Sequence, residues 1–246
     1  MGNAKTTDIF GELMLDFHNK RTLYELIERD DKYIDVGDGK EAYFAPYRNW
    51  KKIEKEAIKY AKGKVLDIGC GAGRHSKYLQ DKGFQVLAID NSTLAIKVAK
   101  LNGVKTTKVL SIENIDALKQ KFETILLLGN NFGLFGTPKK MKSILTKLSK
   151  ISANDAIIIA ETHDPHKTKN PIYLNYQKQN RLKGKMSGQS RIRIRYGNKT
   201  GDWMEYLSAS PNEMQDLLKN TGWAVDKFIF SKTTAYIAII QRKAID

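Results

Sequence analysis

The residues best placed to do chemistry are Asp67-Ile68-Gly69-Cys70-Gly71-Ala72-Gly73, which lie between a short apolar run and an amphipathic one. Glycines at alternate positions let the backbone turn sharply and approach a ligand with no Cβ in the way. The helix expected next offers free N–H groups and the positive end of its dipole. Asp90 closes the following apolar run, twenty-three residues after Asp67. A carboxylate there can accept hydrogen bonds from ribose hydroxyls. The spacing is G-x-G-x-G, whereas the dinucleotide fingerprint is G-x-G-x-x-G, its third glycine allowing close packing around a pyrophosphate. Counted from Gly69 and Gly71, that third place is held by Arg74.

Other candidates lie where further apolar runs end. Gly129-Asn130-Asn131 follows the run Phe122 to Leu128, and both asparagines are also ordinary turn formers. His163-Asp164-Pro165-His166 follows Ala156 to Glu161. A histidine there could take a proton from an oxygen or nitrogen nucleophile. Two histidines and an acid in one turn-rich segment are thin evidence for a metal, and none is expected. Upstream, Tyr43-Phe44-Ala45-Pro46-Tyr47-Arg48 forms an aromatic cluster that either lines a pocket or packs on the core. Arg191-Ile192-Arg193-Ile194-Arg195 alternates with period 2, so it reads as a strand with one basic face. That face is either solvated or a site for an anion.

The elements that must position these groups alternate from Gly63 to about Lys243. Strands are expected at 65–69, 84–89, 104–110, 122–128, 156–161, 223–230 and 234–240. Helices are expected at 74–81, from Ser92 to Leu101, from Thr137-Pro138 to about Ile151, and from Pro211 to Asn220. This rhythm implies a Rossmann-like α/β fold: a doubly wound, seven-stranded, mostly parallel sheet with helices on both faces. The short link at Ser231-Lys232 makes one late strand antiparallel. Ligands in such sheets sit beyond the carboxyl ends of the strands. Residues 1–62 lack the rhythm and read as an N-terminal helical cap. Residues 63–243 form the core, with 163–207 as a small β insert on the acceptor side.

Hydrophobic residues at 41% and charged residues at 28% are ordinary for a globular chain, so the net charge of +15 stands out. It raises the local concentration of anions such as nucleic acid, phosphorylated metabolites or an acidic membrane surface, although lysine-rich surfaces also serve solubility alone. Cys70 is the only cysteine, which excludes an intrachain disulfide and a multi-cysteine zinc site and fits a cytoplasmic protein. Without a basic partner it reads as a packing residue. No apolar run approaches the roughly 18 residues that span a bilayer, and Met1 to Phe10 lacks the order of a signal peptide, so no membrane partner is expected.

Val65 to Gly73 resembles motif I of the class I S-adenosylmethionine-dependent methyltransferases. The likeness continues through Gly83-Phe84-Gln85-Val86-Leu87-Ala88-Ile89-Asp90-Asn91-Ser92, which is similar to the run through motif II. The resemblance implies S-adenosylmethionine as the cofactor, whose ammonium makes a nearby acid useful. Gly69, Cys70, Gly71 and Gly73 would flank the methionine portion and Asp67 its ammonium. Asp90 and Asn91 would take the ribose. Ser111, Ile112 and Glu113 would meet the adenine, and Gly129 the region of the methyl group. Asn130, Asn131 and His163 become candidates at the methyl site, while Tyr43, Tyr47, Arg191 and Arg193 become candidates for the acceptor pocket. Amino-group nucleic-acid methylases often carry an Asn/Asp-Pro-Pro-aromatic motif where Asn130-Asn131-Phe132-Gly133 stands here. The leading expectation is therefore a small-molecule acceptor, conceivably anionic. An RNA methyltransferase and a non-catalytic cofactor-binding module are the alternatives.

Overall fold

The computed structural model describes residues 8–21, 24–37 and 39–243. The signal-peptide reading of Met1 to Phe10 rests mostly on residues outside that range, as do the first seven residues of the cap. In chain order the elements are α1 (Ile9–His18), β1 (Glu25–Arg29), β2 (Ile34–Val36), α2 (Lys40–Phe44), α3 (Lys52–Ala57), β3 (Val65–Ile68), α4 (Arg74–Asp81), β4 (Val86–Asp90), α5 (Thr93–Leu101), β5 (Thr107–Val109), β6 (Phe122–Leu127), α6 (Pro138–Lys150), β7 (Ser152–His163), α7 (Pro171–Leu182), β8 (Gln189–Tyr196), β9 (Lys199–Thr200), β10 (Met204–Leu207), α8 (Pro211–Leu218), β11 (Trp223–Phe230) and β12 (Ala235–Arg242).

The core is a seven-stranded sheet in the order β11-β12-β7-β6-β3-β4-β5. All strands run parallel except β12, which pairs antiparallel with both β11 and β7. Strict alternation sends successive side chains to opposite faces. Leu66, Ile68, Ile158 and Ala160 face one way and pack under α6 and α8, in a cluster with Met141, Ile144, Leu145, Leu148 and Met214. Val65, Leu126, Ile157 and Ile159 face the other way and meet Ile53 and Ala57 of α3 and Leu79 of α4. The apolar stripe of α6 repeats at i, i+3, i+4 and i+7. Its start is fixed by Thr137 Oγ1, which accepts from Lys140 N, and by Pro138 in the first turn. Ser92 caps α5 in the same way, and Ser210 with Glu213 forms a capping box on α8.

The expected basic strand is β8, and Met204–Leu207 returns beside it as β10. The segment before the core carries helices as expected, yet it also supplies β1 and β2. β1 pairs antiparallel with β8, Ile27 opposite Ile194 and Glu28 opposite Arg193, so cap and insert share one sheet in the order β10-β8-β1-β2. Local pattern could not reveal this, because Glu25-Leu26-Ile27-Glu28-Arg29 is too short and too charged to read as a strand unless its partner is known. The insert also contains α7, capped by Asn170 and opened by Pro171, which the reading of 163–207 as β structure did not include.

The second sheet lies over the carboxyl edge of the first. Ile194 and Tyr196 of β8 pack with Leu13, Met14 and Phe17 of α1, and α1 in turn packs on Ala95 and Val98 of α5.

Candidate functional site

The carboxyl ends of β3 and β4 meet at the glycine loop. Gly69 N and Cys70 N both donate to Ile89 O, at 2.9 and 3.0 Å, which turns the chain away from β3. Gly69 (φ +68°), Gly71 (φ +53°) and Gly73 (φ +81°) all lie in the left-handed region. A Cβ on Gly73 would stand 2.6 Å from Val104 Cγ2, so Gly73 lets α4 approach α5 rather than making room for a ligand. At Gly71 the nearest atoms to such a Cβ are Met14 Cε at 3.4 Å and Tyr43 Cδ1 at 3.6 Å. The loop therefore faces a wall built by α1 and α2.

Beneath the loop, Asp90 accepts from Gly71 N at 3.0 Å through Oδ2 and from Ser92 N at 2.9 Å through Oδ1. It is buried, and burial raises its pKa despite those bonds. Asp67 accepts from Ser76 Oγ at 2.6 Å, and burial pushes it up to about 6. Two carboxyls are thus held at the floor of one loop, where their ionised forms are favoured by a cationic partner. Asn91 is exposed next to Asp90.

The adenine candidates divide. Ser111 caps the turn by accepting from Glu113 N at 3.2 Å, and Ile112 is buried in the core cluster. Glu113 pairs with Lys140 Nζ of α6 at 2.5 Å and is exposed. Cys70 packs with Ala88, Ile96, Ala99 and Val104, and burial pushes its thiol up, so it contributes packing and no nucleophile.

The turn after β6 is clamped from three sides. Gly129 (φ +70°) and Asn130 (φ +66°) are consecutive left-handed residues. Glu161, buried at the end of β7, accepts from Gly129 N at 2.7 Å. Tyr206 of β10 donates to Asn130 O at 2.5 Å, and its ring covers Gly133, where any Cβ would overlap it. Asn131 Nδ2 donates to Ile68 O at 3.0 Å and Gly69 O at 2.8 Å, tying this turn to the glycine loop. Asn131 is therefore a scaffold residue, whereas Asn130 Oδ1 is buried with no hydrogen-bond partner. Tyr206→Phe removes one of the three ties, a hydrogen bond of about 1 kcal/mol. Hydrogen exchange should show roughly fivefold weaker protection across 129–136 and unchanged protection in β7.

Beside this turn lies a buried ion cluster. Glu54, 2% exposed, accepts from Lys51 N at 3.0 Å, pairs with Arg74 and lies 3.3 Å from His75 Nε2. The Arg74 guanidinium stacks over Trp50 at 5.3 Å, and the Trp50 and His75 rings meet edge-on at 4.6 Å. Burial opposes ionisation of Glu54, but His75 and Arg74 win and hold its carboxyl down at about 2. Burial, reinforced by Arg74, drives His75 down to about 4, so it is neutral at pH 7 and structural. Lys51 Nζ also reaches Glu161, at 3.8 Å.

The remaining candidates scatter. Tyr43 reaches the glycine loop and donates to Glu25 Oε1 at 2.9 Å. Tyr47 instead stacks on Tyr78 of α4 at 4.4 Å. His163 Nδ1 lies 2.8 Å from Thr234 Oγ1. Arg193 forms a two-pronged bond to Glu28 at 2.9 and 3.0 Å, and Arg191 and Arg193 flank the Trp203 ring at 5.5 and 4.4 Å. These arginines alternate with Ile194, which faces α1, so they point away from the glycine loop. The strand's geometry therefore lends no support to these two as acceptor-pocket residues. No cluster of metal-ligating residues occurs among the described residues.

Sequence reasoning missed Glu54, Glu161 and Tyr206. For Glu161 a signal existed: like Asp67 and Asp90, it is an acid closing an apolar strand. Tyr206 and Glu54 carry no such mark.

Residues 65–154 match a family model described as a methyltransferase domain. A putative methyltransferase of Bacillus subtilis (strain 168) is 23% identical over 127 residues, 50% of this chain and 51% of that protein. A glycine/sarcosine N-methyltransferase of Aphanothece halophytica is 25% identical over 104 residues, 40% of this chain and 39% of that protein. The chain spans about half the length, or less, of these curated relatives. An S-adenosylmethionine-dependent methyltransferase of Bacteroides fragilis, solved with S-adenosyl-L-homocysteine, shares the fold: TM-score 0.81 and 24% identity, covering 96% of this chain and 95% of that one.

Proposed function

We propose that this chain, which carries a class I S-adenosylmethionine-dependent methyltransferase domain, moves a methyl group to a small-molecule acceptor reaching the Gly129–Asn130 turn between the two sheets. The observation that carries the reading is the glycine loop with Asp90 beneath it and Met14 and Tyr43 across from it. Its residues fit the cofactor. Gly71 takes a left-handed turn opposite Met14 and Tyr43, and Asp67 and Asp90 give two buried acids for an ammonium and a pair of hydroxyls. Ser111 and Ile112 would meet the adenine, since Glu113 is drawn to Lys140.

When bound, S-adenosylmethionine would supply an electrophilic methyl group on a sulfonium, with the neutral thioether as leaving group. The chain's own task is orientation and exclusion of water, and holding reactants in register is worth up to about 7–11 kcal/mol. Glu161 and Tyr206 keep the turn in its left-handed shape, and Asn130 Oδ1, buried and unpaired, gains from any donor the acceptor brings. A dedicated base is required only for an acceptor not already nucleophilic at neutral pH.

The small-molecule reading is supported by the cover over the carboxyl edge, where Tyr206 of β10 lies on the Gly129–Asn130 turn and Tyr43 of α2 lies across from Gly71. Arg193, bound to Glu28, gives no reason to require an anionic acceptor. Residues 1–62 and 163–207 together act as the acceptor-side cover in this reading.

Calorimetry with S-adenosylhomocysteine should register one site per chain. Methyl-labelled donor should label a component of a low-molecular-mass cell extract and leave RNA unlabelled. Labelling of RNA alone would replace the small-molecule acceptor with RNA, and binding without transfer to either pool would favour a non-catalytic module.

A further inference from the structure

α7 is amphipathic in the reverse sense. Its inward face is polar and hydrogen-bonded: Tyr173 and Tyr176 donate to Asp35 and Asp30 at 2.7 Å each, Gln177 donates to Pro165 O at 2.6 Å, and Asn180 donates to Gln189 O at 2.5 Å. Its outward face carries the aliphatic residues. Leu174 and Leu182 are 44% and 72% exposed, and Ile172 in the first turn is 47% exposed. Isolated exposed aliphatics are common. Here three of the nine large exposed hydrophobics among the described residues fall on one twelve-residue helix.

Leu174, Lys178 and Leu182 follow at i, i+4 and i+8, so they form one stripe opposite the buried face. Lys178, Lys183 and Lys185 make no ion pair among the described residues. The surrounding sequence is one-sided. From Pro165 to Gly201 there are ten Lys or Arg and no Asp or Glu, against a whole-chain charge of +15. An apolar stripe edged by unpaired lysines matches a surface that is anionic outside and hydrocarbon within. Nucleic acid matches the charge but offers aliphatic side chains nothing comparable, since its bases stack on aromatic rings.

We propose that the outward face of α7 docks the protein peripherally on an anionic lipid surface. No helix of the described residues is long and apolar enough to cross a membrane, and α7 would lie in the interface instead. The earlier expectation of no membrane partner rested on spanning length and the lack of a signal-peptide pattern, neither of which bears on a helix lying in the interface. The inference does not depend on the methyltransferase reading.

Co-sedimentation of the full chain with vesicles tests it. The chain should bind vesicles of 3:1 phosphatidylcholine to phosphatidylglycerol and not phosphatidylcholine alone, with binding weakened by salt. Lys178→Gln should lower partitioning about fivefold. Leu182→Ser should lower it roughly tenfold, with both variants melting like the parent. Equal binding to neutral and anionic vesicles, or unchanged binding by Leu182→Ser, overturns the proposal. So does retention of labelled single-stranded RNA by the parent chain without binding to anionic vesicles, which would assign the surface to nucleic acid.

Discussion

Asp90→Ala should weaken S-adenosylhomocysteine binding on the order of 100-fold in calorimetry. Hydrogen bonds to an ionised group contribute about 1.5–3 kcal/mol each, and in the proposed site Asp90 holds two ribose hydroxyls. Burial disfavours the ionised form of Asp90 in the free protein, and Gly71 N and Ser92 N only partly offset that, so bound hydroxyls are the natural further partners. The alanine also releases Gly71 N, which loosens the loop. Asp90→Asn keeps the volume and separates the two effects: it should retain most of the melting temperature and lose most of the affinity. A dissociation constant within threefold of the parent for both variants would remove Asp90 from the cofactor site.

The second large effect is on stability. Arg74→Leu leaves Glu54 buried without its main cation, and stranding one partner of a buried pair costs about 3–5 kcal/mol. The sign with pH follows from the perturbed groups: Asp90 and Glu161, both raised by burial, lose stability as pH rises through their folded values, and three further groups set the rest. Glu54, held down at about 2 against an ordinary 4.5, contributes stability that is complete above about pH 4.5 and lost as pH falls toward 2. His75, at about 4 against 6.5, likewise makes stability fall as pH drops from 6.5 to 4. Asp67, raised to about 6 from 3.8, acts in the opposite direction over nearly the same window and offsets His75. Thermal denaturation should therefore show a modest slope between pH 4 and 6 and a steep loss below about 4.5. In Arg74→Leu the loss below 4.5 should flatten in part, because only His75 would still hold Glu54 down. A variant melting within 2 °C of the parent at pH 7 would contradict this account of the cluster.

Most of the core was legible because its signals are local. Val65 to Ile68 and Val86 to Asp90 are apolar runs bounded by glycine and acid, and Ser92, Thr137-Pro138 and Ser210 announce their helices. Each instruction lies within a few residues of the element it specifies. The roof over the site was not legible, because β1 acquires its meaning only from β8, and no short window contains both. The same distance hid Tyr206, whose hydrogen bond to Asn130 spans seventy-six positions. The surroundings of Arg193 were hidden for a related reason. Alternation showed that the arginines share a face of the strand, but not that Glu28 would occupy that face and that the isoleucines would take the side toward α1.

The pairing of β1 with β8 also orders events in time. Glu28 and Arg193 lie 165 residues apart, so during synthesis the opening strand must wait, unmatched, until most of the polypeptide has emerged. The Rossmann-like centre can begin to collapse earlier from neighbouring strand–helix units, while the compartment above it closes late. A nascent chain stalled before residue 189 would have its glycine loop without a completed chamber.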